Sequence, residues 1–452
     1  MDRPSESALA APVSSAHPRS DAWDWLLVAA IFAGMIGLAW IALATPVMQP
    51  LVDLARREHW TGFWIRPTII WVSMGLVLLF MRTVLWLRYR PFAPAPFDEA
   101  PMLTVIVPAY NEGAMVESAI ASVCSAHYPP GRLQVIAVDD GSTDDTWRWI
   151  ERAARRFPRL VTPVRLAVNQ GKRGALAEGF RRACGEIVVT VDSDSIIEHG
   201  TLLAMAGPFR DPRVGAVAGK VAVHNRGKGL IPRMLHVRFI LSFDFLRSAQ
   251  SVFRTVYCCP GALAGYRASA VRGVLSEWQD QTFLGAPCTY GEDRALTNLI
   301  LRQGYDTVYQ RSAVVHTIVP ETYGKLCRMY LRWDRSYIRE ELRFAGRVVW
   351  KRPAGPRALA LYESTVTNLR FPVAYSAMAL WTLNAVSDPA TIVRMLLAIM
   401  VVSTLYTLYY LRSERSWDFV FGIAYGYFSF FALTWIFPYA ALTLRARGWL
   451  TR

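Results

Sequence analysis

Three acidic pairs stand in the middle of this sequence. Asp139 and Asp140 fall in Val138-Asp139-Asp140-Gly141-Ser142, Asp192 and Asp194 flank Ser193, and Glu292 and Asp293 follow Tyr290-Gly291. The first two pairs each close an apolar, β-branched run, and the run from Leu103 to Val107 likewise gives way to Tyr110-Asn111-Glu112. A buried parallel strand delivers polar groups to its C-terminal edge in this way, and that edge is where open α/β sheets bind ligands. A turn at Ser193 lets both aspartates converge on a hard cation, which prefers oxygen ligands. Lys172, in Gly171-Lys172-Arg173-Gly174, reads as part of a flexible loop from which it could reach a phosphate as a point charge. Glu292 and Asp293 open an apolar helix after Gly291, which suits a functional site better than a surface ion pair of Glu292 with Arg294. Turn and helix capping compete as roles for each of these acids taken singly.

Strands and helices must alternate to position these groups. After the first strand, residues 113–127 have helical spacing, and so do 143–156, where Ser142 and Asp145 resemble a helix start. Alternation of this period predicts a mostly parallel α/β sheet with right-handed crossovers. Residues 230–250 fit either a core helix or an interfacial one.

The chain has 452 residues, 53% of them hydrophobic, and the apolar excess is concentrated at the two ends. Trp25–Ala44 and Thr68–Leu87 are each about 20 residues long, enough to cross roughly 30 Å of hydrocarbon, with Arg82 snorkelling from the second. Further apolar segments lie near Phe371–Val386, Ile392–Leu411 and Phe419–Leu444. Gly422, Gly426 and Pro438 predict that the last folds into a hairpin, returning Arg445, Arg447 and Arg452 to the cytosol. The net charge of +15 is carried by arginines beside apolar segments, which favours lipid over nucleic acid as the partner. Arg328, Arg332, Arg335, Arg339 and Arg343 recur at helical distances and predict a basic amphipathic helix on the inner leaflet. The six cysteines lack metal-binding spacing and read as reduced thiols. The expected organisation is a disordered 1–20, two spans in 21–90, and a cytosolic domain over 91–320. Interfacial helices over 321–365, a membrane region over 366–444 and a cytosolic tail over 445–452 complete it.

The succession of Tyr110-Asn111-Glu112, Asp139-Asp140-Gly141-Ser142 and Asp192-Ser193-Asp194 resembles glycosyltransferase family 2. Downstream, Cys258-Cys259-Pro260-Gly261 through Tyr266-Arg267, Gly291-Glu292-Asp293-Arg294-Ala295-Leu296-Thr297 and Arg332-Trp333 are similar to its membrane-bound processive branch. That branch comprises the hyaluronan synthases and the nodulation-type chitin-oligosaccharide synthases. The resemblance implies a glycosyltransferase A-type, Rossmann-like domain embedded between transmembrane helices. It implies that Tyr110 and Glu112 flank a uridine, that Asp140 accepts a hydrogen bond from the uracil, and that Lys172 contacts uracil or phosphate. Asp192 would contact the nucleotide and Asp194 would ligate Mg2+ or Mn2+. Asp293 would be the general base beside Glu292, Arg332 would neutralise the leaving diphosphate, and Trp333 would carry the acceptor sugar, with Gly261, Tyr266 and Arg267 on the acceptor side. Gly448-Trp449-Leu450-Thr451-Arg452 resembles the Trp-Gly-Thr-Arg tail of hyaluronan synthases, which gives Trp449 and Arg452 a gating role.

By this resemblance the protein would be an inverting, UDP-sugar-dependent hexosyltransferase of the inner (plasma) membrane. It would polymerise UDP-GlcNAc, alone or alternating with UDP-glucuronate, onto a growing polysaccharide and couple synthesis to export. Tyr375, Trp381, Tyr406, Tyr409 and Tyr425 could line the route, although interfacial belts compete for them. Met329 stands where the processive families carry Gln in Gln-x-x-Arg-Trp, and it supports the alternative of a non-processive transferase acting on a lipid or short acceptor. Intact Asp140, Asp194, Asp293 and Arg332 disfavour a transport or scaffold protein without catalysis.

Overall fold

The run Leu103–Ala109 forms β1 and is buried at every position, which is why it is apolar throughout rather than alternating. The structure, a computed structural model, describes residues 22–44 and 62–446; residues 1–20, Trp449 and Arg452 lie outside them. After β1 come β2 (Leu133–Asp139), β3 (Val161–Arg165), β4 (Ile187–Val191) and the short β5 (Ser195–Ile197). Then follow β6 (Val214–Val223), β7 (Leu263–Arg267) and β8 (Asp306–Thr317). They build one eight-stranded sheet in the order β3-β2-β1-β4-β7-β6-β8-β5. β1 is parallel to β2 and β4, β2 to β3, and β6 to β8, whereas β7 opposes β4 and β6, and β5 opposes β8. Chain order reverses between β1 and β4, so a crevice opens at their C-terminal ends. This is the glycosyltransferase A-type, Rossmann-like architecture, with a mostly parallel sheet.

Alternate side chains feed two cores. Val105, Val107 and Val135 pack with the helices Met115–Cys124 and Thr201–Ala206 on one face. Ile106, Ile136 and Val188 pack with Gly171–Arg182 and Glu292–Arg302 on the other. The helix expected from residue 143 starts at Thr146, because the residues before it are taken up by the loop after β1. Ser142 Oγ accepts from the Asn111 N–H at 3.0 Å, and Thr146 Oγ1 accepts from the Glu112 and Gly113 N–H groups at 2.9 Å. The expected Gly171–Gly174 loop is instead the first turn of a helix, entered through Gly171 at φ 78°.

Leu230–Phe239, a π-helical stretch Ile240–Leu246 and Arg247–Val252 run on as one helix. Leu235 and Phe239 belong to the sheet core, while Phe245 packs against Trp86 and Tyr409, so this is a core helix wedged between the sheet and the apolar helices. Tyr323–Arg343 is helical too, but its basic stripe faces outward only at Arg328, with Arg332 and Arg343 half-buried. Arg335 and Arg339 are buried and bonded within the protein, to Thr443 Oγ1 and to the Tyr290 carbonyl, because acids and carbonyls of the neighbouring elements meet them there.

Among the described residues two helices, Ala22–Ile41 and Ala390–Glu414, are long and apolar enough to cross a membrane. They become three if the bent pair Phe419–Leu433 and Ile436–Leu442 is one span. That pair bends by 43°, a shallow break rather than the expected hairpin. The expected spans at 68–87 and 371–386 lie in Gly62–Arg88 and Ala354–Ser387, which are not among the qualifying helices. Arg82 does not snorkel: its Nε donates to the buried Glu363 at 2.8 Å and its Nη2 to Thr367 at 2.8 Å, tying these two helices together. Tyr409 is likewise no route-lining group, since it is fully buried with its hydroxyl 2.7 Å from that of Thr83.

Candidate active site

The loops at the C-terminal ends of β1, β2 and β4 meet over the crevice. Tyr110, the first residue beyond β1, is 36% exposed and projects at the rim. Asn111 adopts φ 52°, and its Oδ1 accepts from the Thr143 N–H at 2.9 Å, so the Tyr110–Glu112 turn is fixed to the turn after β2. Asp139 is buried and caps that turn through the Ser142 N–H at 3.0 Å. Asp140, only 2% exposed, accepts from the Gln170 N–H at 2.8 Å. Burial pushes its carboxyl up to about 6, against the pull of the Gln170 and Gly171 N–H groups.

Lys172 reaches from its helix across the crevice to Asp192 Oδ1, and its Nζ lies 3.4 Å from Glu292 Oε1. Burial opposes the charged ammonium, but Asp192 and Glu292 outweigh it and hold the lysine above its usual pKa. Glu292 is 7% exposed; burial raises its pKa, and the charges of Lys172, Arg173 and Arg332 lower it further than burial raises it, leaving it ionised. Asp293 moves the other way, raised by burial and by the adjacent Glu292. Its Oδ1 accepts from the Arg294 N–H at 2.7 Å, and its Oδ2 from the Gly261 N–H at 3.3 Å and the Cys258 thiol at 3.5 Å. Two neighbouring carboxyls whose environments push them apart form a natural acid–base assignment, with Asp293 the stronger base.

The structure thus brings Asp192, Lys172, Gly261, Glu292 and Asp293 together, with the charge of Arg332 felt at Glu292 and Asp140 beside the base of the Lys172 helix. Trp333, 37% exposed, stands further out against Phe239 and Tyr330 at ring distances of 6.0 and 5.7 Å. Tyr266 and Arg267 are not part of the cluster. β7 starts at the site and runs away from it, so these residues sit at its far end. Tyr266 is buried against Phe180, and Arg267 braces the start of β6 by donating to the Val214, Phe209 and Asp211 carbonyls. Met329 is 9% exposed within the sheet core, so its departure from Gln is a packing change rather than a lost acceptor contact.

Sequence reasoning gave no role to Arg173 or Cys258. Arg173 is buried, with Nη1 on the Trp278 carbonyl and the guanidinium 5.2 Å over the Trp278 ring. The signal was its adjacency to Lys172, one step round a helix that had been read as a loop. For a metal, Asp192 and Asp194 offer oxygen donors; Asp194 Oδ1 accepts from Ser195 at 3.1 Å and Thr317 at 3.3 Å. Among the described residues no group of three or more His, Cys, Asp or Glu could hold an ion. A cation that takes one or two carboxylates and completes its shell with substrate phosphates, as Mg2+ does, fits this donor set.

The family model "Glycosyl transferase family 2" matches residues 104–275. An N-acetylglucosaminyltransferase of Azorhizobium caulinodans is 32% identical over 353 residues, covering 78% of this chain and 87% of that protein. The chain belongs to glycosyl transferase family 2. It is a glycosyltransferase. Another family 2 relative, the N-acetylglucosaminyltransferase of Rhizobium meliloti, is 37% identical over 275 residues, covering 59% of this chain and 64% of that protein. Among solved structures, a mannosyltransferase from Pyrobaculum calidifontis in complex with GDP-Man and Mn2+ matches with a TM-score of 0.57. It covers 80% of this chain and 99% of that one, and at 24% identity the likeness is one of fold.

Proposed function

We propose that this family 2 enzyme transfers N-acetylglucosamine from UDP-GlcNAc, with inversion, to the end of a growing polysaccharide at the membrane. The observation that carries the reading is the Lys172 ammonium held between Asp192 and Glu292, with Asp293 next in the chain and anchored on Gly261. The relatives named N-acetylglucosaminyltransferases support the sugar. Tyr110, Glu112 and Asp140 bind the uridine, and Lys172 and Arg332 meet the diphosphate. Mg2+ or Mn2+, with Asp194 as direct ligand beside Asp192, would supply charge neutralisation for that diphosphate, and the Mn2+ in the solved relative supports a divalent ion. Asp293 takes the proton of the acceptor hydroxyl as its oxygen bonds to the anomeric carbon. The bond to UDP breaks, UDP leaves with the electron pair, and an α-donor gives a β-linkage. Trp333 is the platform for the acceptor.

The apolar helices support a multi-pass protein of the inner membrane with the catalytic domain cytosolic, and export through the helices that follow it. Tyr425, whose hydroxyl lies 2.7 Å from that of Tyr330 near Trp333, is a candidate for the route. Trp449 and Arg452 act as a gate, so removing residues 448–452 abolishes transfer while leaving the protein folded. Purified protein given Mn2+ with UDP-GlcNAc, UDP-glucuronate or both, followed by product sizing, tests the whole reading. Long product from UDP-GlcNAc alone supports it, and a long product only with both sugars assigns a copolymer. UDP release with single-sugar addition would replace it with the non-processive transferase.

A further inference from the structure

The corner that carries Glu292 and Asp293 is held by the far end of the chain. Tyr290, 3% exposed, precedes Gly291, which at φ 77° turns the chain into the helix Glu292–Arg302. A Cβ on Gly291 would run into Ser336 and Arg339, so the corner is wedged against the Tyr323–Arg343 helix. The Tyr290 hydroxyl donates to the Ala446 carbonyl at 2.9 Å, and the Tyr290 carbonyl accepts from Arg339 Nη2 at 2.5 Å. Arg339 is itself fixed, because its Nε donates to Glu340 Oε1 at 3.0 Å. That buried carboxylate also takes Asn298 Nδ2, from the Glu292–Arg302 helix, at 3.2 Å. One helical turn before Arg339, Arg335 donates to Thr443 Oγ1 at 2.8 Å. Thr443 to Ala446 follow directly on the last apolar helix, Ile436–Leu442. Arg445 and Ala446 are exposed, and a small cleft lined by Phe283, Pro287 and Tyr290 runs along Leu444 to Ala446.

We propose that Tyr290 is a positioning residue, whose hydroxyl makes the setting of Glu292 and Asp293 depend on where Thr443–Ala446 lies. A shift of the last apolar helix then reaches the base through the bonds of Tyr290 and Arg335 and one glycine corner. The inference rests on the reading of Asp293 as the base.

The test is a double-mutant cycle in the full chain, with UDP-GlcNAc turnover and thermal unfolding both followed. Tyr290→Phe keeps the ring and removes only the hydroxyl; it lowers kcat about tenfold with the KM for UDP-GlcNAc within about twofold, since the interaction sets geometry rather than donor binding. Thr443→Val, which removes both Arg335 bonds to that hydroxyl together with its own bond to the Tyr439 carbonyl, has the same selective effect. The double variant is no slower than the slower single variant, because either loss already frees the segment. Wild-type kcat in Tyr290→Phe, or two losses that multiply, would overturn the proposal. If Tyr290→Phe does not fold, Thr443→Val decides alone: a kcat-selective loss supports the coupling and wild-type kcat ends it. Asp293→Asn is measured beside them. Full turnover in that variant removes the base assignment, while the Tyr290 and Thr443 cycle still reports whether the tail sets the rate.

Discussion

Glu292 and Asp293 are consecutive carboxyls with opposite shifts, and the difference lies in what each one touches. Glu292 has cationic neighbours that hold it ionised, whereas Asp293 is raised by burial and by the like charge of Glu292, which outweigh the pull of the Arg294 N–H, so a proton is worth more there. Asp293→Asn is expected to lower turnover by about 10²- to 10⁴-fold while UDP-GlcNAc binding persists, measured by UDP release and calorimetry. Asp140 makes a pH prediction. Its pKa of about 6 means that the carboxylate needed as an acceptor is present above that value and lost as pH falls through it. UDP-GlcNAc affinity should drop about tenfold between neutrality and about one unit below that pKa, and Asp140→Asn should flatten the profile. The diphosphate diester of the donor does not titrate in that window, so a slope that survives in Asp140→Asn would exonerate Asp140. The acids were legible in the sequence because each ends a strand or opens a helix, places where polar residues need a reason. Tyr266 and Arg267 were misread because nothing in the motif from Cys258 to Arg267 reveals that its strand runs antiparallel and carries its end away from the site.

At the scale of elements, the apolar runs announced the parallel strands, since a strand covered on both faces has no polar alternation to lose. The Lys172 segment was harder. Two glycines and two cations look like a loop, yet Gly171 supplies the positive φ that starts a helix, and Arg173 turns inward under Trp278. The close approach of this helix to the segment that leads into β7 explains Gly261. A Cβ there would stand 2.8 Å from Lys172 Nζ and 3.7 Å from Asp192 Oδ1. The lysine end is flexible enough to yield, so Gly261→Ala should melt within a degree or two of wild type, as expected for a change of under about 1 kcal/mol. Turnover should nevertheless fall, because the displaced ammonium no longer lies between Asp192 and Glu292. Wild-type kcat/KM in a well-folded Gly261→Ala would show that the lysine position seen here is not the one catalysis uses.

Across the whole molecule, the catalytic sheet and the apolar helices share buried polar bonds as well as apolar surface. The core helix Arg247–Val252 packs on the sheet, and Gln250 Nε2 lies 3.4 Å from Glu363, the partner of Arg82. Tyr257, just before Cys258, donates to the Ala360 carbonyl at 3.1 Å in the same helix as Glu363. This seam was invisible in the sequence. Arg82 looked like a snorkelling terminus because its partner is 281 residues away. Removing one member leaves the other charged and buried, so Glu363→Ala should destabilise the protein by about 3–5 kcal/mol. Thermal unfolding in detergent would show it as a large drop in Tm. Replacing both at once, Arg82→Met with Glu363→Leu, removes the charges together and should recover most of that loss, because well-packed apolar side chains often substitute for a buried pair at little cost. Both variants should keep the wild-type KM for UDP-GlcNAc in whatever fraction remains folded, since the pair lies behind Gln250 and Tyr257 and not in the crevice. A single variant that melts like wild type would mean that the two charges are solvated, and the seam would then have to be held by its apolar contacts alone.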